Sequence, residues 1–127
     1  MKHILIVEDE DFLAQVLTDN LSLEGYKVDL AVDGEEAIKK IEESQPSLIL
    51  LDLLLPKKDG FQVLEELKLN PNFKLIPVIV LSNLGADTDI KRALSLGAED
   101  YFVKSQHPIA EVVERVRKYV SGSKPKK

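Results

Sequence analysis

Asp52 is the only charge inside Leu48 to Pro56, a stretch that reads Leu-Ile-Leu-Leu-Asp-Leu-Leu-Leu-Pro. An unpaired carboxylate buried in hydrocarbon is costly, so Asp52 must be reached by solvent or a cation, or be held protonated. Other polar residues stand in comparable places, directly after short apolar runs: Glu8 and Asp9 after Ile4 to Val7, Ser82 after Pro77 to Leu81, and Lys104 after Tyr101 to Val103. Two or three carboxylates offer hard oxygen ligands to a divalent cation, and magnesium takes one or two protein carboxylates while keeping waters. Were a phosphoryl group transferred to Asp52, the cation would offset part of its charge. Lys104 would add a fixed positive charge and the Ser82 hydroxyl a hydrogen bond. Each residue also has a plainer explanation. Asp52, or the Glu8-Asp9 pair, could cap a following helix, Ser82 could sit in a turn, Lys104 could be a solvated charge, and an aromatic such as Tyr101 on a short strand is ordinarily core. His3 and His107 lack helical metal spacing and receive no role.

The elements that would bring these residues together are legible in the apolar pattern. A short apolar run closed by proline suits a strand buried on both faces, as in parallel sheets covered by helices, with Asp52 as its C-terminal tip. Ile4 to Val7 reads as a strand, and Phe12, Leu13, Val16, Leu17 and Leu21 as the helix after it, stopped at Gly25. Lys27 to Val32 reads as an edge strand, and Asp33 with Glu36 has capping-box spacing before Ala37, Ile38 and Ile41. Asp59 caps a helix carrying Phe61, Leu64 and Leu67, which Asn70-Pro71 ends. After the strand Pro77 to Leu81, Asp87 or Thr88 caps a helix stopped by Gly97. Tyr101 to Val103 is the last strand, and Pro108 fits the first position of a final helix with Val112, Val113, Val116 and Val120 on its core face. Five strands alternating with five helices imply right-handed crossovers and a doubly wound α/β domain with strand order 2-1-3-4-5. In such sheets ligands bind at the C-terminal strand tips, where the polar residues named above would gather.

A chain of 127 residues fits one domain, residues 1–120, with 121–127 as a disordered basic tail or the start of a linker. Cysteine is absent, which excludes disulfides and thiolate metal sites. No apolar run approaches the length of a membrane helix or a signal peptide, so a soluble, cytoplasmic protein is expected. All 22 acids lie at or before Glu114 and six of the 17 bases follow it, leaving residues 1–114 with 22 acids against 11 bases. A body this acidic repels nucleic acid, which argues against direct DNA binding by the domain.

The ordered set of Glu8-Asp9, Asp52 with Pro56 and Gly60 downstream, Ser82, and Tyr101-Phe102-Val103-Lys104 resembles the receiver domain of two-component response regulators, the CheY-like fold, from about Lys2 to Val120. The resemblance implies that Asp52 is the phosphoacceptor, supplied by a histidine kinase or a histidine phosphotransfer protein. It implies that Asp9 binds Mg2+ directly (with Mn2+ as a substitute), Glu8 is the outer acid, and Asp52 and the Leu54 backbone carbonyl complete the protein's share. Ser82 and Lys104 would hold the phosphoryl oxygens, and Tyr101 would be the switch aromatic that alters the surface of helix four, strand five and helix five. The resemblance thus implies a regulator rather than an enzyme, one that assists its own phosphorylation and dephosphorylation. Its output partner is unknown. Glu111, Arg115, Lys91, Arg92, Glu99 and Asp100 place both charge signs around that surface, which would suit a two-fold homodimer. A stand-alone receiver is preferred over the amino-terminal part of a longer regulator.

Three departures from the family pattern carry expectations. Glu8 replaces the usual aspartate, which keeps the charge on a longer arm. Ser105 follows Lys104 where the family usually has proline, often cis; a cis bond without proline costs about 3 to 4 kcal/mol, so a trans bond and a remodelled loop through Gln106-His107-Pro108 are expected. Leu54, two residues after Asp52, and Leu84, two after Ser82, stand where the family often has polar residues, and the intervening Asn83 replaces a small one. Two leucines cannot orient a water for attack on an acyl phosphate and would cover it, so slow self-dephosphorylation is expected. The rivals are a receiver that binds partners without phosphorylation and an aspartyl-phosphate hydrolase. The hydrolase needs a second acid at Leu54, an apolar position here.

Overall fold

The computed structural model describes residues 2–121. Its strands are β1 (His3–Val7), β2 (Lys27–Ala31), β3 (Leu48–Leu51), β4 (Val78–Ser82) and β5 (Asp100–Val103). The helices alternate with them as α1 (Asp11–Leu23), α2 (Gly34–Ser44), α3 (Gly60–Leu69), α4 (Asp87–Ser95) and α5 (Ile109–Val120). The five strands pair in parallel in the order β2-β1-β3-β4-β5, as the alternation implied. Val7 faces Ala31 on one side and Leu51 on the other, so β1 and β3 end level with each other at the point where strand order reverses.

Side chains on each strand alternate between two apolar layers, as a period of two requires. Leu5, Val7, Ile49, Leu51, Val78 and Val80 pack against α2, α3 and α4 through Ala37, Ile41, Val63, Leu64, Leu67 and Ala93. Ile4, Ile6, Leu48, Leu50, Ile79 and Leu81 pack against α1 and α5 through Leu17, Leu21, Val112, Val113, Val116 and Val120. Covering helices on both faces explain why the central strands are continuous apolar runs.

Several local expectations are corrected. The apolar run around Asp52 is strand only as far as Leu51; Leu53 to Leu55 belong to the loop, where Leu53 turns into the core and Leu54 outward. Phe12 keeps helical spacing with core residues, yet it is 83% exposed, because α1 buries only Ala14, Leu17 and Leu21. The capping box at Asp33 is half formed: Asp33 accepts the Glu36 N–H at 2.8 Å, but the Glu36 carboxylate accepts from Val32 N–H at 2.9 Å instead. The box at Asp59 is complete, since Gln62 bonds back to it. Ala86 rather than Asp87 or Thr88 stands at the start of α4, so no side chain caps it, and Pro108 is the residue before α5 rather than its first. Ser121 closes α5; the expected tail beyond it, residues 122–127, lies outside the described residues.

Candidate functional site

Three of the expected residues are fixed by one backbone rung past the end of a strand. Glu8 N–H donates to the Ala31 carbonyl (2.9 Å), Asp52 N–H to Val7 (3.0 Å) and Lys104 N–H to Ser82 (2.9 Å). Each side chain therefore starts from rigid sheet and projects into the crevice at its edge. Gly60 closes the far wall of the loop: its N–H donates to the Leu53 carbonyl at 3.0 Å. A Cβ there would stand 2.4 Å from the Asp52 carbonyl oxygen and 2.5 Å from Leu53 Cα, contacts only glycine avoids.

Lys104 is the hub of the crevice. Its Nζ lies 2.9 Å from Glu8 Oε1, 2.9 Å from Asp52 Oδ2 and 3.3 Å from Glu10 Oε2, and its side chain is 10% exposed. The other Asp52 oxygen, Oδ1, accepts the Leu54 N–H at 3.1 Å, and Glu8 Oε2 accepts the Glu10 N–H at 3.1 Å. Asp52 and Glu8 are both buried, and among the described residues no buried side-chain nitrogen or oxygen lacks a partner. A buried network of this kind is stabilising only when complete.

Burial pushes the Glu8 carboxyl up to about 7; the hydrogen bond from Lys104 pulls against that and the Asp52 charge adds to it. Burial alone would lower the Lys104 ammonium, but its hydrogen bonds to Asp52 and Glu8 outweigh this and hold it above the ordinary lysine range. The crevice thus keeps a cation among its buried carboxylates.

Glu8, Asp9 and Asp52 each offer an oxygen, all within 4.8 Å of one another, with Asp9 exposed and the other two buried. The donor set is hard oxygen throughout, without imidazole or sulfur, and it fits a hard divalent cation such as Mg2+ or Mn2+.

Ser82 is fully buried, and its Oγ accepts the Leu84 N–H at 3.3 Å. The Leu84 carbonyl in turn accepts from the Tyr101 hydroxyl at 2.5 Å, so one residue of the β4–α4 loop joins Ser82 to Tyr101. Burial, with the Asp89 and Asp52 charges, pushes the Tyr101 phenol up. Tyr101 packs on the core, which agrees with the plainer reading of an aromatic strand residue, but its hydroxyl is committed to the loop.

Pro56 and Asn83 are exposed near the crevice. The two leucines differ. Leu54 is 51% exposed at the rim, whereas Leu84 packs against the core and offers its backbone rather than a lid. The Lys104-Ser105 bond is trans, as expected, for no cis peptide bond occurs among the described residues. The loop after it is held by Gln106 N–H to the Val103 carbonyl (2.9 Å) and by His107, whose ring meets Phe102 edge-on while Nδ1 lies 2.9 Å from a Glu111 oxygen.

Sequence reading missed Glu10 and Gly34. Glu10 follows Glu8-Asp9 in one acidic run, and a spacing pattern does not reveal which way a loop carboxylate turns. Gly34 opens α2 where a Cβ would fall 1.9 Å from the Lys58 carbonyl, so it admits the loop that follows β3; a glycine directly after the Asp33 cap was the available signal.

An open parallel sheet with acids at its switch point and a lysine reaching across from β5 places the molecule in the CheY-like class of α/β domains. Residues 4–117 match the response regulator receiver domain model, and the chain belongs to that family. It is 41% identical over 116 residues to the alkaline phosphatase synthesis transcriptional regulatory protein PhoP of Bacillus subtilis, covering 91% of this chain and 47% of that protein. Among solved structures it resembles the Mn2+-bound form of response regulator Rcp1 (TM-score 0.84, 32% identity, 93% of each chain). It also resembles the receiver domain of the Francisella response regulator 1452 (TM-score 0.88, 27% identity, 98% of this chain and 100% of that one). The chain spans about half the length of the curated relatives it matches.

Proposed function

We propose that this chain is the phosphoacceptor module of a two-component phosphorelay, acting in the cytoplasm on a signal received from a histidine kinase or a histidine phosphotransfer protein. The observation that carries this reading is Asp52 itself: a buried carboxylate at the switch point, with Lys104 on one oxygen and the Leu54 N–H on the other. An Asp52 oxygen attacks the phosphorus of the donor phosphohistidine; the new O–P bond forms as the P–N bond breaks, and the departing imidazole nitrogen takes a proton from solvent. Lys104, displaced from Asp52, then pairs with the transferred phosphoryl oxygens, and the Ser82 hydroxyl donates to another of them. Asp9, Glu8, Asp52 and the Leu54 carbonyl are the groups that would hold Mg2+ or Mn2+, and the ion when bound offsets the charge of the phosphoryl oxygens.

For its hydroxyl to donate to the phosphoryl group the Ser82 side chain turns toward Asp52, and that movement carries its Oγ away from the Leu84 N–H it accepts from here. The Leu84 carbonyl is the acceptor for Tyr101, so the loop carries the change to α4, β5 and α5. That face is the output contact, for a separate protein, an attached domain or a second copy of the chain. Three of the charged residues expected to serve a homodimer have partners within the chain, Arg115 with Asp100 and Glu111 with His107, which leaves the hetero-partner the better-supported occupant. Leu54 at the rim cannot orient a hydrolytic water, and the acyl phosphate is long-lived.

Transfer of labelled phosphate from a phosphorylated histidine-kinase fragment tests this reading. Label passes to the wild type and not to Asp52→Asn, and Leu54→Asn loses it faster. Label on Asp52→Asn, or slower loss from Leu54→Asn, would contradict the acceptor or the leucine argument respectively.

A further inference from the structure

Glu10, at the start of α1, turns its carboxylate away from the helix. It stands at the N-cap of α1, a place that Ser, Thr, Asp and Asn favour, and it makes no side-chain cap bond. Its carboxylate instead crosses the crevice to Lys104, 94 residues away, while its side chain stays 54% exposed at the rim. Lys104 thereby has one carboxylate for each of its three ammonium hydrogens: Glu8, Asp52 and Glu10. Two of those partners, Glu8 and Asp52, belong to the trio whose oxygens could hold a divalent cation; Glu10 does not.

A cation and an ammonium therefore draw on the same two carboxylates. When Glu8 and Asp52 turn to the cation, Lys104 is left among nearly buried surroundings with a charge it keeps, and Glu10 is the one carboxylate still beside it. We propose that Glu10 is a positioning residue that takes over Lys104 when a divalent cation occupies the Glu8, Asp9 and Asp52 oxygens, so that the site exchanges one cation for another without stranding the ammonium. This rests on the metal-binding part of the function proposed above.

The test is Mg2+ affinity by titration calorimetry on the full chain at one ionic strength, without any phosphodonor. Glu10→Gln should weaken Mg2+ binding about three- to tenfold, in the lower part of the coupling seen between groups of one network. Asp11→Asn removes the same charge one residue further on, from a carboxylate with no bond to Lys104 among those described, and should change affinity less than about twofold at moderate salt. In a Lys104→Met background Glu10→Gln should have no further effect. Should Lys104→Met not fold, the Lys104 ammonium signal in nitrogen-detected NMR replaces it: with Mg2+ bound the signal stays sharp in the wild type and is lost to solvent exchange in Glu10→Gln. An equal loss in both backgrounds, a loss no larger than that of Asp11→Asn, or an ammonium signal indifferent to Glu10→Gln would overturn the role of Glu10. No Mg2+ binding by the wild type would overturn the metal reading itself, and this inference with it.

Discussion

The site depends on where three side chains start rather than on any one of them. Glu8, Asp52 and Lys104 each begin one rung past a strand, and their convergence on a single ammonium follows from the sheet order. Glu8 gives the sharpest prediction at this scale. Its folded carboxyl is raised to about 7 from an ordinary value of 4.5, so between those values the folded chain holds a proton that the unfolded chain has released. By linkage, this group's contribution to stability falls as pH rises through that window. Thermal unfolding in chelator should show the decline for the wild type, and Glu8→Gln should flatten it; an unchanged slope in Glu8→Gln would show that another group is responsible. The acids, Ser82 and Lys104 were legible because each follows an apolar run. Glu10 was not, since its role depends on a contact with β5 that no local pattern encodes. Tyr101 could be placed on its strand but not oriented, because the acceptor for its hydroxyl is a backbone carbonyl in a loop.

At the scale of elements, alternation and breakers sufficed for all ten elements and their order, because burial on both faces makes parallel strands read as plain apolar runs. Element ends were less legible. The run around Asp52 looks uniform, but the ladder stops at Leu51, where the next segment leaves to let α3 begin against the Asp52 backbone. Ala86 starts α4 although Asp87 and Thr88 are the better capping types, and Lys57 adopts a left-handed φ of 66° with no glycine or asparagine to announce it. Gly60 is where backbone and site meet. Gly60→Ala would drive a methyl into the Asp52 carbonyl and Leu53 Cα, which are backbone atoms and cannot swing aside. We expect a loss of about 2 to 3 kcal/mol in denaturant unfolding, as for overpacked interiors. Slower phosphoryl uptake should accompany it, because the displaced loop carries Asp52 and Leu54. Unaltered stability would mean that the α3 start has room the present geometry does not show.

As a whole, the molecule is a rigid sheet with its reactive edge at one end and a coupled surface beside it. The same Leu84 backbone serves Ser82 through its N–H and Tyr101 through its carbonyl, which joins the end of β4 to β5 through one loop residue. Family membership and this coupling agree on a signalling part. The homologous regulators extend well beyond the length shared with this chain. No helix among the described residues is long and apolar enough to cross a membrane. The central claim is that Asp52 accepts phosphate with the help of a divalent cation. Intact mass after incubation with Mg2+ and a small acyl phosphate tests it most directly. One added phosphoryl group should appear on the wild type, none on Asp52→Asn, and none when Mg2+ is chelated. No adduct under any condition would make the chain a phosphorylation-independent binding module, and steady release of inorganic phosphate without an adduct would make it a hydrolase; either result contradicts the account.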